Sequence, residues 1–392
     1  MECILLPSEP DSTSQAEVSQ VTLNSELSTG ITCQLELRCD PSSWSLRTRD
    51  EDGKEKQKGG DEFYVRYEEF SMIENGTRMV SLQAVAFVKD NGDGSYDLSF
   101  STTPWYPDMP ENEECEHDRE LTIYLEYSNH IGTLPPPQKS EWRNGGYTHK
   151  KYSCCPNQRP PIKAFKPPST KEDCINLSSF DQVFAFGDST MDQFTRQRPN
   201  KKGKYYFQPK LRVGEKMRLP LNSQTIDTHL QLLDEQFGQE LKTSTSSDST
   251  ALILGSCLWD VLDYEDTLQG TEYANHAQAC QSYIEEIQTR YPKVSLVWKS
   301  PMAVHIHWVD LDRLIQNQQE TATLFGVDRV RYMSASRSKF LHNLQTKLMK
   351  GLQIPMLDLF DATFLSADKL YPSDGRHYRP ELNRKMLQWF YR

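Results

Sequence analysis

The stretch that most constrains this chain is an unbroken apolar run ending on glycine, aspartate and serine. Val183, Phe184, Ala185 and Phe186 are followed at once by Gly187-Asp188-Ser189, then by a segment from Met191 to Arg196 with helical spacing. Such a run, bounded by turn residues, reads as a strand buried on both faces of a parallel sheet. The turn then lies at the carboxyl edge of that sheet, where open α/β folds bind their ligands. Ser189 at that edge is a candidate nucleophile, and its backbone N–H can face a developing oxyanion.

The same alternation continues downstream. Residues 251–254, 294–298 and 354–359 read as further buried strands, and 204–207 and 218–221 as strand fragments. Between them, 226–237, 271–290 and 328–350 read as helices, with 379–391 a closing helix. In 271–290 the residues Tyr273, Ala277, Cys280, Ile284 and Ile287 share one face, as a core-packing stripe does. Gly351 is placed to end the 328–350 helix. Strand and helix alternate throughout, which predicts a three-layer α/β sandwich with a parallel sheet.

A nucleophilic serine needs a base. Near the C-terminus stands Tyr371-Pro372-Ser373-Asp374-Gly375-Arg376-His377-Tyr378, on a Pro- and Gly-punctuated loop before the last helix. Asp374 and His377 are spaced so that a carboxylate can hold one ring nitrogen while the other faces the serine. Gly-Asp-Ser after a buried strand, with Asp-x-x-His before the last helix, resembles the SGNH (GDSL) hydrolase superfamily, and its PC-esterase branch most. The resemblance implies Ser189 as nucleophile, His377 as general base and Asp374 as its orienter. It also implies an oxyanion hole completed by a glycine and an asparagine from two further strand ends. Gly203 and Gly214 are candidates for that glycine. The stretch matching the asparagine strand end is Gly255-Ser256-Cys257-Leu258-Trp259-Asp260, so Gly255, Ser256 and Trp259 are candidate oxyanion or substrate-binding residues. Trp259 and Asp260 agree with the branch, but Gly255 stands where the asparagine is expected. Losing one such donor costs about 2.7–4 kcal/mol of transition-state stabilisation. His305 and His307 have strand spacing and read as ordinary loop histidines.

The first half has a different texture. Residues 31–39, 62–70, 78–89 and 121–127 alternate apolar and polar residues, as half-buried strands do. Asn91-Gly92-Asp93-Gly94 between two such runs is a strong hairpin signal. Asp90 and Asp93 fit turn chemistry and lack the spacing of a calcium loop. The pattern predicts an antiparallel β-sandwich. The hairpin resembles that of filamin-type immunoglobulin-like repeats, over roughly residues 20–137. The expected order is a disordered tail at 1–19, the β-sandwich at 20–137, a Cys- and Pro-rich connector without regular elements at 138–180, and the α/β domain at 181–392. This pairing resembles the neurexophilin and PC-esterase domain family.

Composition narrows the function classes. Lys and Arg total 44 against 55 Asp and Glu, a net charge of -11 that disfavours a nucleic-acid partner. No apolar run approaches the length of a membrane-spanning helix. Residues 1–7 lack the basic and apolar segments of a signal peptide, whereas the family resembled implies the secretory pathway; the cytoplasm is the alternative. Of nine cysteines, Cys115, Cys154, Cys155 and Cys174 precede the Ser189 strand, which allows a disulfide-stapled connector as well as reduced thiols. No Cys-x-x-Cys pair suggests a structural zinc.

What the resemblance implies is O-acyl ester chemistry, esterase or O-acetyltransferase, on a glycan or small acylated substrate. No metal or organic cofactor is expected, though a transferase would need an acyl donor such as acetyl-CoA. A protein- or glycan-binding module built on a weak or inactive scaffold, with a protein partner on the β-sandwich, is the alternative. An intracellular filamin-like structural protein is a third reading, which leaves Ser189, Asp374 and His377 unexplained.

Overall fold

The structure is a computed structural model. It describes residues 19–26, 32–39, 42–49, 52–72, 78–106, 118–127, 150–153, 159–168, 175–195, 211–256, 258–263, 271–305, 335–371 and 375–391. The chain divides into two compact units, Met1–Lys166 and Pro167–Arg392.

The first unit holds β1 (Ser19–Glu26), β2 (Thr32–Cys39), β3 (Trp44–Arg49), β4 (Glu62–Met72), β5 (Arg78–Asp90), β6 (Ser95–Thr102), β7 (Asp118–Tyr127), β8 (Lys150–Ser153) and β9 (Ile162–Lys163). They are bonded in the order β1-β2-β3-β6-β5-β4-β7-β8, with β9 beside β6. All pairs are antiparallel except β6–β9. Burial alternates along β3 and β6, so one face is apolar. Leu37 of β2, Trp44 of β3, Phe100 of β6 and Leu121 of β7 share one core, which requires the sheet to curl. Trp44 meets Tyr67 and Phe100 edge-on, with ring centroids 6.2 and 5.7 Å apart. Among the described residues the hydrogen bonds thus draw one curled antiparallel sheet, a coarser result than the immunoglobulin-like sandwich expected from the sequence.

The Asn91–Gly94 turn joins β5 to β6, as its residues predict. Asp90 Oδ1 accepts from the Gly92 N–H at 2.7 Å, and Asp93 Oδ1 from the Ser95 N–H at 2.9 Å. Both carboxylates therefore serve the turn. The expectation of a connector without regular elements needs correcting, because β8 and β9 lie within 138–180. Pro160 and Pro161 immediately precede β9, and a proline ahead of a two-residue edge strand removes no ladder bond. Cys115, Cys154, Cys155 and Cys174 lie outside the described residues, as do residues 1–18 of the tail expected at 1–19, whose last residue, Ser19, begins β1.

In the second unit, β10 (Gln182–Phe186), β11 (Leu211–Val213), β12 (Thr250–Leu254), β13 (Ser295–Lys299) and β14 (Met356–Leu357) form a sheet ordered β11-β10-β12-β13-β14. Every pair is parallel. The helices are α1 (Ser189–Thr195), α2 (Ile226–Lys242), α3 (Leu258–Asp263), α4 (Thr271–Arg290), α5 (Ala335–Gly351), α6 (Phe360–Phe364) and α7 (Pro380–Gln388). On one face of the sheet Phe184, Phe186, Leu252, Leu254, Leu296 and Trp298 pack against Leu233 and Phe237 of α2 and Ile284 and Ile287 of α4. Val183, Ala185, Ile253 and Val297, of opposite parity, are as deeply buried. Both faces being covered explains why these strands read as unbroken apolar runs.

Three expectations shift. Residues 218–221 are not a strand; β11 is at Leu211–Val213, and 204–207 lies outside the described residues. The strand expected over 354–359 shortens to Met356–Leu357. Helix α5 is closed not by Gly351 but by Gln353, the left-handed residue at φ 56°. The Ile354 N–H reaches Met349 O at 2.9 Å and the Gln353 N–H reaches Lys350 O at 3.3 Å, the two bonds of a Schellman cap. Ile354 then packs into the core, which outweighs the cost of a left-handed glutamine.

Candidate active site

The parallel sheet brings several loops to one edge. Gly187 follows β10, Gly214 follows β11, Gly255 follows β12, Ser300 follows β13 and Asp358 follows β14. Asp188 caps α1: its Oδ1 accepts from the Thr190 N–H at 2.8 Å, the Thr190 hydroxyl at 2.6 Å and the Met191 N–H at 3.3 Å. The cap takes the second and third amides of the helix, and the Ser189 amide is not among them.

Opposite Ser189 stands His377. Ser189 Oγ and His377 Nε2 are 2.8 Å apart, although 188 residues separate them in the chain. With the ring proton on Nδ1, the hydroxyl donates to Nε2. The loop carrying His377 is pinned on both sides. Gly375 sits at φ 70°, a conformation that favours glycine. Its carbonyl accepts from the His305 N–H at 2.7 Å, and the His377 carbonyl from the Tyr371 N–H at 2.8 Å. The Tyr378 hydroxyl reaches Ala303 O at 2.8 Å and Thr363 O at 3.0 Å. Asn383 Nδ2 donates to Tyr378 O at 2.9 Å. His305 is fully buried with its ring against Phe364, and it supports this loop through its backbone N–H. Asp374 and His307 lie outside the described residues.

The three candidates after β12 have different surroundings. A Cβ on Gly255 would lie 3.1 Å from Lys299 O, 3.2 Å from Met191 Cε and 3.3 Å from Lys299 Cβ. A Cβ on Gly187 would lie 2.9 Å from Gly255 O. Backbone therefore packs on backbone at these strand tips, and a side chain at 255 would have to push its neighbours back by a few tenths of an ångström. Ser256 Oγ accepts from Gln345 Nε2 at 3.2 Å and also bonds Asp260. The indole N–H of Trp259 donates to Met217 O at 3.1 Å. Both side chains brace the strand ends, and no described contact brings either to Ser189. The Gly214 N–H is likewise engaged, with Ala185 O at 2.9 Å.

Lys299, which the sequence did not single out, reinforces the turn, and Asp260 braces the loop after β12. Lys299, at the end of β13, is 2% exposed, and its Nζ donates to Thr190 Oγ1 and Ser300 O, each at 3.2 Å. Since Thr190 bonds Asp188, the lysine reaches that carboxylate through a hydroxyl. Beneath the loop after β12, Asp260 Oδ1 accepts from the Leu221 N–H at 2.8 Å and lies 3.4 Å from His276 Nδ1. Burial pushes the Asp260 carboxyl up to about 7, with the Asp188 charge adding to the rise. Burial brings His276 down to about 4 and raises the Cys280 thiol 3.3 Å from it. Asp260, His276 and Cys280 are wholly inside, so they form a structural network. The signal for Lys299 was a lysine continuing an apolar strand.

No protein-family model and no curated protein matches this chain. Among solved structures, a lipase/acylhydrolase from Enterococcus faecalis aligns with 53% of this chain and 93% of its own, at 17% identity and a TM-score of 0.32. The acetyl xylan esterase AlAXEase aligns with 53% of this chain and 96% of its own, at 16% identity and a TM-score of 0.32. The acetyl xylan esterase Est2A from the rumen bacterium Butyrivibrio proteoclasticus aligns with 99% of this chain and 100% of its own, at 10% identity and a TM-score of 0.24. Scores this low do not establish a common fold, and the chemistry rests on the side chains themselves.

Among the described residues no group of His, Cys, Asp and Glu is arranged to hold a metal ion. No helix among them is long and apolar enough to cross a membrane.

Proposed function

We propose that the chain performs acyl-ester chemistry at Ser189, on the pattern of the SGNH hydrolases and their PC-esterase branch. The observation that supports this is the 2.8 Å separation of Ser189 Oγ and His377 Nε2 at the carboxyl edge of a parallel sheet. Ser189 Oγ attacks the acyl carbonyl while its proton passes to His377 Nε2. The tetrahedral oxyanion faces the Ser189 N–H. The C–O bond to the alcohol breaks, and His377 returns the proton to the leaving oxygen. Water, or a second hydroxyl in a transferase, then enters by the reverse sequence. Asp374 orients the imidazole in this reading. No metal or organic cofactor takes part, and a transferase would use an acyl donor such as acetyl-CoA. In this reading the ester is an O-acyl group on a glycan, as the resemblance to the PC-esterase branch implies. The first unit, as an immunoglobulin-like domain, offers a surface for a protein or glycan partner.

A second reading is favoured by Gly255. With no asparagine donor there, the scaffold would bind rather than transform its ligand. Labelling of the purified chain with a fluorophosphonate probe separates the two. Labelling lost in Ser189→Ala and His377→Ala, with unchanged circular dichroism, is the result expected of the enzyme. A folded wild-type chain that takes up no label would leave the binding module.

A further inference from the structure

Lys299 is a buried charge that the reaction above does not use. It ends β13 and is 2% exposed, and both hydrogen bonds of its Nζ are to uncharged oxygens, Thr190 Oγ1 and Ser300 O. An ammonium this deep in a fold needs a negative charge to answer it. The carboxylate to which its bonds lead is Asp188, 5% exposed. The Thr190 hydroxyl donates to Asp188 Oδ1 at 2.6 Å and accepts from Lys299 Nζ at 3.2 Å, so one oxygen couples the two charges. Asp188 Oδ1 also accepts the Thr190 and Met191 amides, and three donors on one oxygen suit an ionised carboxyl.

The place of this pair matters to the nucleophile. Asp188 directly precedes Ser189, whose amide is to meet the oxyanion. An unanswered carboxylate there repels the developing negative charge. It also favours the charged imidazole of His377, whose Nε2 is 2.8 Å from Ser189 Oγ. A cation behind Asp188 opposes both effects. Position 255 gives that cation its path. Leu254 pairs with Trp298, so Gly255 and Lys299 stand next in register at the strand tips. A Cβ on Gly255 would lie 3.3 Å from Lys299 Cβ, so the glycine leaves room for the lysine stem. Where the resemblance expects an amide donor, this chain gives the space to a buried cation.

We propose that Lys299 is the internal counter-ion of Asp188 and a positioning residue for the chemistry at Ser189. It steadies the turn through Thr190 and cancels the carboxylate charge beside the oxyanion. The role rests on the acyl-ester reading. It is tested by the pH dependence of fluorophosphonate labelling in the full chain, for the parent, Lys299→Met, Asp188→Asn and the double variant. Labelling needs a neutral His377, so its midpoint reports the imidazole. Lys299→Met leaves the Asp188 charge unanswered; it should slow labelling about tenfold and raise the midpoint by about 0.5–1 pH unit. Asp188→Asn, whose amide oxygen still accepts the cap bonds, should lower the midpoint. The double variant carries neither charge and should bring rate and midpoint back towards the parent. The other charged groups of this edge are the same in every arm: Asp192 with Lys216 at 3.2 Å, Asp358 with His342 at 2.9 Å, Asp260 beneath, and Asp374 and Arg376 beside His377. A folded Lys299→Met chain that labels slowly at the parent midpoint would make the lysine a brace and overturn the counter-ion. If Lys299→Met alone does not fold, the double variant is read against Asp188→Asn, and equal midpoints would overturn it as well. A parent that takes no label would sink the acyl-ester reading and this role with it, whereas a labelled parent with an unshifted variant sinks the counter-ion alone.

Discussion

The glycine at 255 invites an obvious repair: restore the asparagine that the resemblance expects and look for a faster enzyme. The packing predicts failure. A Cβ at 255 stands 3.1 Å from Lys299 O and 3.3 Å from Lys299 Cβ, several tenths of an ångström inside the 3.5–4.0 Å of an ordinary carbon contact. Met191 Cε, at 3.2 Å, ends a flexible side chain and can give way. The Lys299 backbone cannot, because Leu254 is paired with Trp298 and the Ser300 N–H donates to Leu357 O at 3.0 Å. Relief requires β12 and β13 to part, and overpacking of this kind costs about 1–3 kcal/mol. Because a Cβ on Gly187 would meet Gly255 O at 2.9 Å, the Gly187 turn moves with them and carries Ser189 away from His377. Gly255→Asn should therefore lower the urea midpoint by that free energy divided by the unchanged m-value, and slow fluorophosphonate labelling. An unchanged midpoint with faster labelling would show that the strand tips part easily and that the missing amide was the limiting donor.

Two further outcomes follow from buried polar groups. Lys299→Met removes both hydrogen bonds of its Nζ and should cost at least the roughly 1.5–3 kcal/mol of one hydrogen bond to a charged group; a loss under about 0.5 kcal/mol in urea unfolding would show Asp188 and Thr190 to be held without it. His276, at about 4 in the fold against 6.5 in the unfolded chain, binds its proton only in the unfolded chain between those values, so it destabilises as pH falls through that window. Its replacement in His276→Gln should take about 1.4 kcal/mol per pH unit from the pH dependence of stability between about 4 and 6.5. Asp260, raised to about 7 from 3.8, works in the opposite sense: protonated in the fold, it loses its stabilising effect as pH rises through 7. A slope unchanged in His276→Gln would mean that the ring is charged when folded.

The parallel sheet was legible because burial on both faces leaves its mark in sequence. Phe184 and Phe186 meet one layer, Val183 and Ala185 are buried on the other side, and no polar residue interrupts them. The 271–290 helix was legible end to end through its stripe, whose Cys280, Ile284 and Ile287 do enter the core. What escaped depends on tertiary context. Sequence gives glycine the natural claim to close α5, yet the closing residue is decided by Ile354, which finds the core only if the chain turns at Gln353. β11 is three residues long and is held by its neighbour β10, so no local periodicity could announce it. β8 and β9 were hidden because prolines that forbid interior strands leave edge strands open.

At the site, sequence could supply residues that chemistry requires by type, Ser189 and His377, because their positions at a strand end and before a last helix are themselves signals. It could not supply residues defined by their surroundings, and Gly255 and Lys299 illustrate that limit. Read singly, one is a missing donor and the other an odd lysine at the end of a strand. In space the lysine backbone fills the room a side chain at 255 would need, while its Nζ delivers donors to Thr190 and Ser300. The two positions are therefore one packing solution, and substituting either alone should disturb the Asp188–Thr190 turn that carries Ser189. If Gly255→Asn and Lys299→Met act through that shared turn, their unfolding free energies should be non-additive in a double-mutant cycle by about 0.5–3 kcal/mol. Strict additivity would separate them and return Gly255 to the status of a simple loss.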